Sequence, residues 1–122
     1  MTILCFDNTP IMLQSLEENA ATAFPHANVQ AFLSAAFALK YAEENGCDVL
    51  LCEINPPRLD GLFLAEKIQK LNPRVNIIFV TVCSENEHAK EVMRMKPSGY
   101  LTKEATNAQI LDELRNLRYP VA

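Results

Sequence analysis

Cys47-Asp48-Val49-Leu50-Leu51-Cys52-Glu53-Ile54-Asn55-Pro56-Pro57-Arg58-Leu59-Asp60-Gly61 is the stretch on which the fold turns. Its apolar run, Val49 to Cys52, is closed by an acid, Glu53; a proline-bearing loop follows, and Asp60-Gly61 opens a segment of helical periodicity. An apolar run of strand length with no polar alternation reads as a strand buried on both faces, the pattern of a parallel sheet covered by helices on either side. The acid at its carboxyl end stands where open parallel sheets bind their ligands.

Working outward, strand-length apolar runs alternate with helical patterns in five successive units. The first strand is Ile3 to Phe6, and Thr9-Pro10 supplies an N-cap with proline at the first helical position. Leu13, Leu16, Ala20 and Ala23 share one face of that helix until Phe24-Pro25 breaks it. Asn28 to Phe32 is a short, moderately polar strand suited to a sheet edge. Ser34 then caps an alanine-rich helix running to Asn45, stopped by Gly46. The third strand is Val49 to Glu53, and its helix turns Leu64, Ala65, Ile68 and Leu71 inward before Asn72-Pro73. Val75 to Thr81 is the fourth strand, and Ser84-Glu85-Asn86-Glu87 has the form of a capping box opening a helix that Lys96-Pro97 closes. Tyr100 to Thr102 is the fifth strand, followed by the capping-box pattern Thr106-Asn107-Ala108-Gln109 and a last helix with Ile110, Leu114 and Leu117 inward.

At 122 residues this is one domain, 1–117, with 118–122 as a tail or the start of a linker that leaves the last helix without a stabilising element. A net charge of −4 argues against this domain itself gripping nucleic acid or an anionic membrane. There is no basic, apolar leader and no apolar run of membrane-spanning length, which makes a cytoplasmic protein the expectation. Cys5, Cys47, Cys52 and Cys83 lack C-x-x-C spacing and read as small buried hydrophobes.

Polar residues recur at the strand ends: Asp7-Asn8 after the first, Glu53 after the third, Thr81 after the fourth and Lys103 after the fifth. Singly, each is an ordinary cap or rim residue. In this order, over essentially the whole chain, they resemble the receiver domains of bacterial two-component response regulators. The resemblance implies a flavodoxin-like (βα)5 fold, an α/β doubly wound five-stranded parallel sheet of strand order 2-1-3-4-5. It places Asp7 and Asn8 at the acidic pair that binds Mg²⁺, Glu53 at the phosphoaccepting aspartate, and Asn55 where a backbone carbonyl completes the metal site. It sets Thr81 at the hydroxyl residue that follows the phosphoryl group, Tyr100 at the aromatic switch, and Lys103 at the lysine that pairs with phosphoryl oxygens. In that family a carboxylate attacks, a hard cation offsets the developing charge, and lysine and hydroxyl hold the transferred group.

Several residues depart from the family pattern. Glu53 adds one C–C bond, about 1.5 Å of covalent length, which moves the carboxylate toward Lys103 and away from in-line geometry. Asn8 puts a neutral amide where a metal-ligating carboxylate belongs, and a unit charge ~4 Å away is worth roughly 4 kcal/mol at an effective dielectric near 20. The Mg²⁺ site is therefore expected to be weakened, with Asp7, Glu53 and the Asn55 carbonyl left to hold a hydrated ion. Val82 is larger than the usual residue there, and Glu104 replaces a proline, which implies a reshaped or strained Lys103-Glu104 bond and a redirected lysine.

These residues imply an atypical receiver not controlled by aspartyl phosphorylation, in which Glu53 either pairs with Lys103 as a partial stand-in for a phosphoryl group or fills an inert pocket. A carboxylate carries one charge where a phosphoryl group carries nearer two. The implied partners are a sensor histidine kinase or other regulatory protein, and a second copy through the face of the fourth helix, fifth strand and fifth helix. Output would be transcription through an effector domain beyond Ala122; the alternative is a stand-alone protein-interaction module. An enzyme is disfavoured, because the chain lacks a glycine-rich phosphate loop, a nucleophile beside a base, and a histidine metal cluster.

Overall fold

Strands β1 (Thr2–Phe6), β2 (Asn28–Phe32), β3 (Val49–Ile54), β4 (Asn76–Thr81) and β5 (Gly99–Thr102) pair in parallel in the order β2-β1-β3-β4-β5. The structure is a computed structural model that describes residues 1–54, 59–81 and 89–121. Among these the helices are α1 (Pro10–Ala23), α2 (Ala35–Asn45), α3 (Asp60–Leu71), α4 (Ala89–Arg94) and α5 (Asn107–Arg115). None of them is long and apolar enough to cross a membrane.

Strand alternation divides the core in two. Leu4, Phe6, Leu50, Cys52, Ile77 and Phe79 meet Ala38, Leu64, Ile68 and Val92 from α2, α3 and α4 on one face. Ile3, Cys5, Val49, Leu51, Ile78 and Val80 meet Leu13, Leu16, Ile110 and Leu114 from α1 and α5 on the other. The central strands β3 and β4 are buried along their whole length, which is why they read as unbroken apolar runs, whereas edge strand β2 is only partly covered.

Local chemistry sets the element ends. Gly46 closes α2 at φ 80°, a left-handed value that costs glycine no Cβ clash. Thr106 and Gln109 form the complete capping box of α5. Thr9 holds the N-cap position of α1, but its hydroxyl makes no capping hydrogen bond. Cys5, Cys47 and Cys52 are buried free thiols, and burial pushes each one up, Cys47 to about 12. They are inert packing groups. Cys83, His88 and the Ser84–Glu87 capping-box pattern lie outside the described residues.

Two expectations need correction. Leu71 is 53% exposed, because as the last residue of α3 it sits where the chain leaves the helix, over the open crevice between the ends of α2 and α3. The segment after α5 is anchored: Tyr119 N donates to Asn76 Oδ1 at 2.7 Å, Asn76 Nδ2 donates to Tyr119 O at 2.9 Å, and Val121 packs on the α1/α5 side of the core. Leu117, beyond the end of α5, is partly buried against that same core.

The first turn of α3 lies directly on the end of β3. A Cβ on Gly61 would overlap the Glu53 carbonyl oxygen, and the Cys52 thiol donates to the Gly61 carbonyl at 3.0 Å. Gly61→Ala therefore has to lift α3 off backbone, which does not yield as a side chain would. We expect a loss of about 1–3 kcal/mol in urea unfolding; an unchanged midpoint would show that the close approach is not a constraint.

Candidate functional site

Sheet register places the site. Phe6 pairs with Cys52, so Asp7 and Glu53, one residue further along each strand, stand side by side at the carboxyl ends of β1 and β3. Cys52 and Ile54 both face the α2/α3/α4 side, so alternation turns Glu53 toward the α1/α5 side. Thr81 ends β4 opposite Ile54, and Lys103 follows β5 with its N–H donating to the Thr81 carbonyl at 2.7 Å.

The side chains converge. Glu53, 2% exposed, accepts from the Asn8 backbone N–H at Oε1 (2.8 Å) and from Lys103 Nζ at Oε2 (2.7 Å). Asp7 is fully buried; its Oδ1 accepts from the Thr9 N–H at 2.8 Å, which turns the chain into α1, and its Oδ2 lies 3.2 Å from Lys103 Nζ. Among the described residues that Oδ2 accepts no hydrogen bond, so its contact with the lysine is an ion pair alone. A turn closed by Ala105 N donating to Thr102 O at 3.0 Å follows Lys103, whose ammonium lies between the two carboxylates.

Thr81 and Tyr100 lie at the margin of this cluster. The buried Thr81 hydroxyl donates to the Ile54 carbonyl at 2.8 Å. Tyr100, opposite Phe79 on β5, is half-buried against the core beneath α2, α3 and α4. Asn8 is half-buried, and its backbone N–H carries the contact to Glu53. Asn55 and Val82 lie outside the described residues.

Two carboxylates share one ammonium, which leaves the cluster one charge short when both are ionised. Burial raises the Asp7 carboxyl above its ordinary range, the Glu53 carboxylate adds to the rise, and the Thr9 N–H and Lys103 oppose it.

The described residues fit Mg²⁺ poorly. That ion demands near-octahedral oxygen ligands at about 2.0–2.1 Å. Among the described residues no group of three or more His, Cys, Asp or Glu is gathered. The orphaned Asp7 Oδ2 is one suitable donor, but it already faces an ammonium, and both Glu53 oxygens hold hydrogen-bond donors. Sequence reasoning found Asp7, Glu53 and Lys103 but not the Asn8 and Thr9 backbone donors, for which residue identity carries no signal.

The raised Asp7 carboxyl has a pH consequence. The folded protein holds that proton more tightly than the unfolded chain does, so the contribution to stability is full below the ordinary aspartate value and is lost as pH rises through the elevated folded one. Asp7→Asn keeps an oxygen for the Thr9 N–H and removes the excess charge. In metal-free buffer it should stabilise the domain by about 1 kcal/mol at pH 7, with the gain shrinking toward pH 4. A destabilised Asn variant at pH 7 would contradict this charge balance.

Comparison with known proteins gives the chain its relatives. A family model described as "Response regulator receiver domain" matches residues 3–115. "Response regulator UvrY" of Escherichia coli K12 is 32% identical over 80 residues, 66% of this chain and 37% of that protein. "Response regulator GacA" of Pseudomonas aeruginosa is 30% identical over 79 residues, 65% of this chain and 37% of that protein. The matched segment thus spans little more than a third of these curated relatives. A CheY-like receiver domain from Methanospirillum hungatei JF-1 superposes with a TM-score of 0.80 at 24% identity, covering 93% of this chain and 90% of that one. A family match over nearly the full length, together with the five-stranded 2-1-3-4-5 sheet, shows that this chain belongs to the response-regulator receiver-domain family.

Proposed function

We propose that this receiver domain is a signalling module whose conformation is set by protein contacts and by its own Glu53–Lys103 pair, without aspartyl phosphorylation. The observation that carries the reading is the 2.7 Å bond from Lys103 Nζ to Glu53 Oε2, made while Glu53 Oε1 holds the Asn8 N–H at 2.8 Å. The lysine that would meet phosphoryl oxygens already has an anion, and that anion is the side chain that would have to accept the phosphoryl group. For Glu53 to attack a phosphodonor, the electrophile must reach an oxygen that already holds a hydrogen-bond donor, on a residue only 2% exposed.

The domain is a regulatory part and not a catalyst. Its curated relatives are response regulators about two thirds of whose length lies outside the matched segment, room enough for an effector domain. Transcriptional output through such a domain in the cytoplasm fits this better than DNA binding by the receiver itself, whose net charge is −4. Input would come from a sensor kinase or another regulatory protein docking on the receiver, and pairing of two copies through α4, β5 and α5 would pass the signal on. Mg²⁺ binding is weak, since the one carboxylate oxygen without a hydrogen bond, Asp7 Oδ2, already faces the Lys103 ammonium.

Intact mass after incubation with Mg²⁺ and acetyl phosphate tests the central claim. The wild-type chain should gain no phosphoryl group, and an adduct on wild-type Glu53 would overturn the proposal. A phosphoryl group on Glu53→Asp alone would assign the loss of phosphate control to the extra methylene.

Glu53→Gln separates an active pair from an inert filler, because it keeps a hydrogen-bond acceptor and deletes the charge. Amide resonances of Tyr100 and the rest of β5 should shift along with those of Lys103. Changes confined to Asp7, Asn8 and Lys103 would mean that the pair sets nothing beyond its own pocket.

A further inference from the structure

At the end of the sheet opposite Glu53, β4 opens on a buried amide. Asn76 is 1% exposed. Its Oδ1 accepts from Tyr119 N at 2.7 Å and from Ser98 Oγ at 2.9 Å, and its Nδ2 donates to Tyr119 O at 2.9 Å. A primary amide presents an acceptor and a donor side by side, as one edge of a peptide group does. Asn76 therefore takes both the N–H and the C=O of a single residue, as the opposing residue of a hydrogen-bonded strand pair would. A buried amide so fully matched is a built contact, because an unmatched one would be costly.

Ser98 extends the contact. Its hydroxyl donates to Asn76 and accepts from Arg118 N at 3.0 Å, while its own N–H donates to the Ile77 carbonyl at 2.8 Å. The guanidinium groups of Arg74 and Arg118 lie 5.2 Å and 5.8 Å from the Tyr119 ring centroid, within cation–π range. Ser98 immediately precedes β5, and two residues before it Lys96 has a φ of 52°, a left-handed value that a lysine adopts at a cost and keeps only when its surroundings hold it.

We propose that Asn76 and Ser98 form a binding site for peptide backbone, whose resident ligand is this chain's own segment 118–121. The site makes that segment part of the domain, and it ties the direction in which the chain leaves α5 to the start of the strand that carries Tyr100. A shift of the α4–β5 connection must move Ser98 and so the Arg118 and Tyr119 backbone; a pull on that backbone acts on β5 in return. This coupling does not depend on what Glu53 does.

Amide hydrogen exchange on the 122-residue chain tests it, with Tyr119→Pro, which deletes the N–H that Asn76 accepts, and Ser98→Ala, which deletes the hydroxyl between Asn76 and Arg118. Neither variant removes Asn76 or a core side chain. The wild type should protect the Arg118 and Tyr119 amides, and both variants should speed exchange roughly tenfold at Arg118, Ser98 and Tyr100 with β1 to β3 unchanged. Arg118 and Tyr119 amides exchanging freely in the wild type overturn the site. Protected amides there, with β5 exchange untouched in both variants, overturn the coupling.

Discussion

The ammonium of Lys103, set between the buried carboxylates of Asp7 and Glu53 at 3.2 Å and 2.7 Å, is the contact on which the arrangement of the strand ends depends. Removing one partner of a buried ion pair leaves an uncompensated charge that costs about 3–5 kcal/mol, a large share of a small domain's total stability. The three strands that carry these residues must therefore end at matching levels. The Phe6–Cys52 pairing sets Asp7 beside Glu53, and the Thr81–Thr102 pairing brings Lys103 just past the end of β4, from where its long side chain reaches back. Gly61 belongs to the same constraint, since α3 can lie on the Glu53 backbone only where no Cβ intervenes.

Charge counting makes Asn8 and Glu53 a consistent pair. Two acids and one lysine leave a deficit of one, and the raised Asp7 carboxyl is its symptom. A third carboxylate at residue 8 would double that deficit, which a low-dielectric pocket tolerates only with a multivalent cation in place. The neutral Asn8 and the longer Glu53 both suit a pocket whose resident cation is an ammonium.

The fold was legible because the sheet is buried on both faces. Val49 to Cys52 and Ile77 to Val80 have no polar side to show, and alternation then sorts their side chains between two helical layers. The ionic part of the site was legible for a related reason: carboxylates and a lysine at the ends of apolar strands have few bland roles. What escaped was backbone chemistry. Asn8 stands out in the sequence for its side chain, yet its N–H holds Glu53; Thr9 has the identity of a helix cap, yet its N–H holds Asp7. Any non-proline residue offers that donor, so only chain geometry reveals its use. Leu71 misled through periodicity, which continues to the last residue of a helix whether or not neighbouring structure remains to cover it.

Asn76 did carry a signal, and it lay in the apolar run itself. A strand running from Val75 to Thr81 reads smoothly across a single asparagine if that residue is taken as a tolerated polar position. In a central strand buried on both faces no such position exists, because a buried amide without partners costs more than its neighbours' packing returns. One polar residue at the head of such a strand thus requires donors and acceptors from elsewhere in the chain. Ser98 supplies one of them from its side chain, but the segment after α5 supplies the other two as backbone, and backbone is the one kind of partner that a sequence does not display.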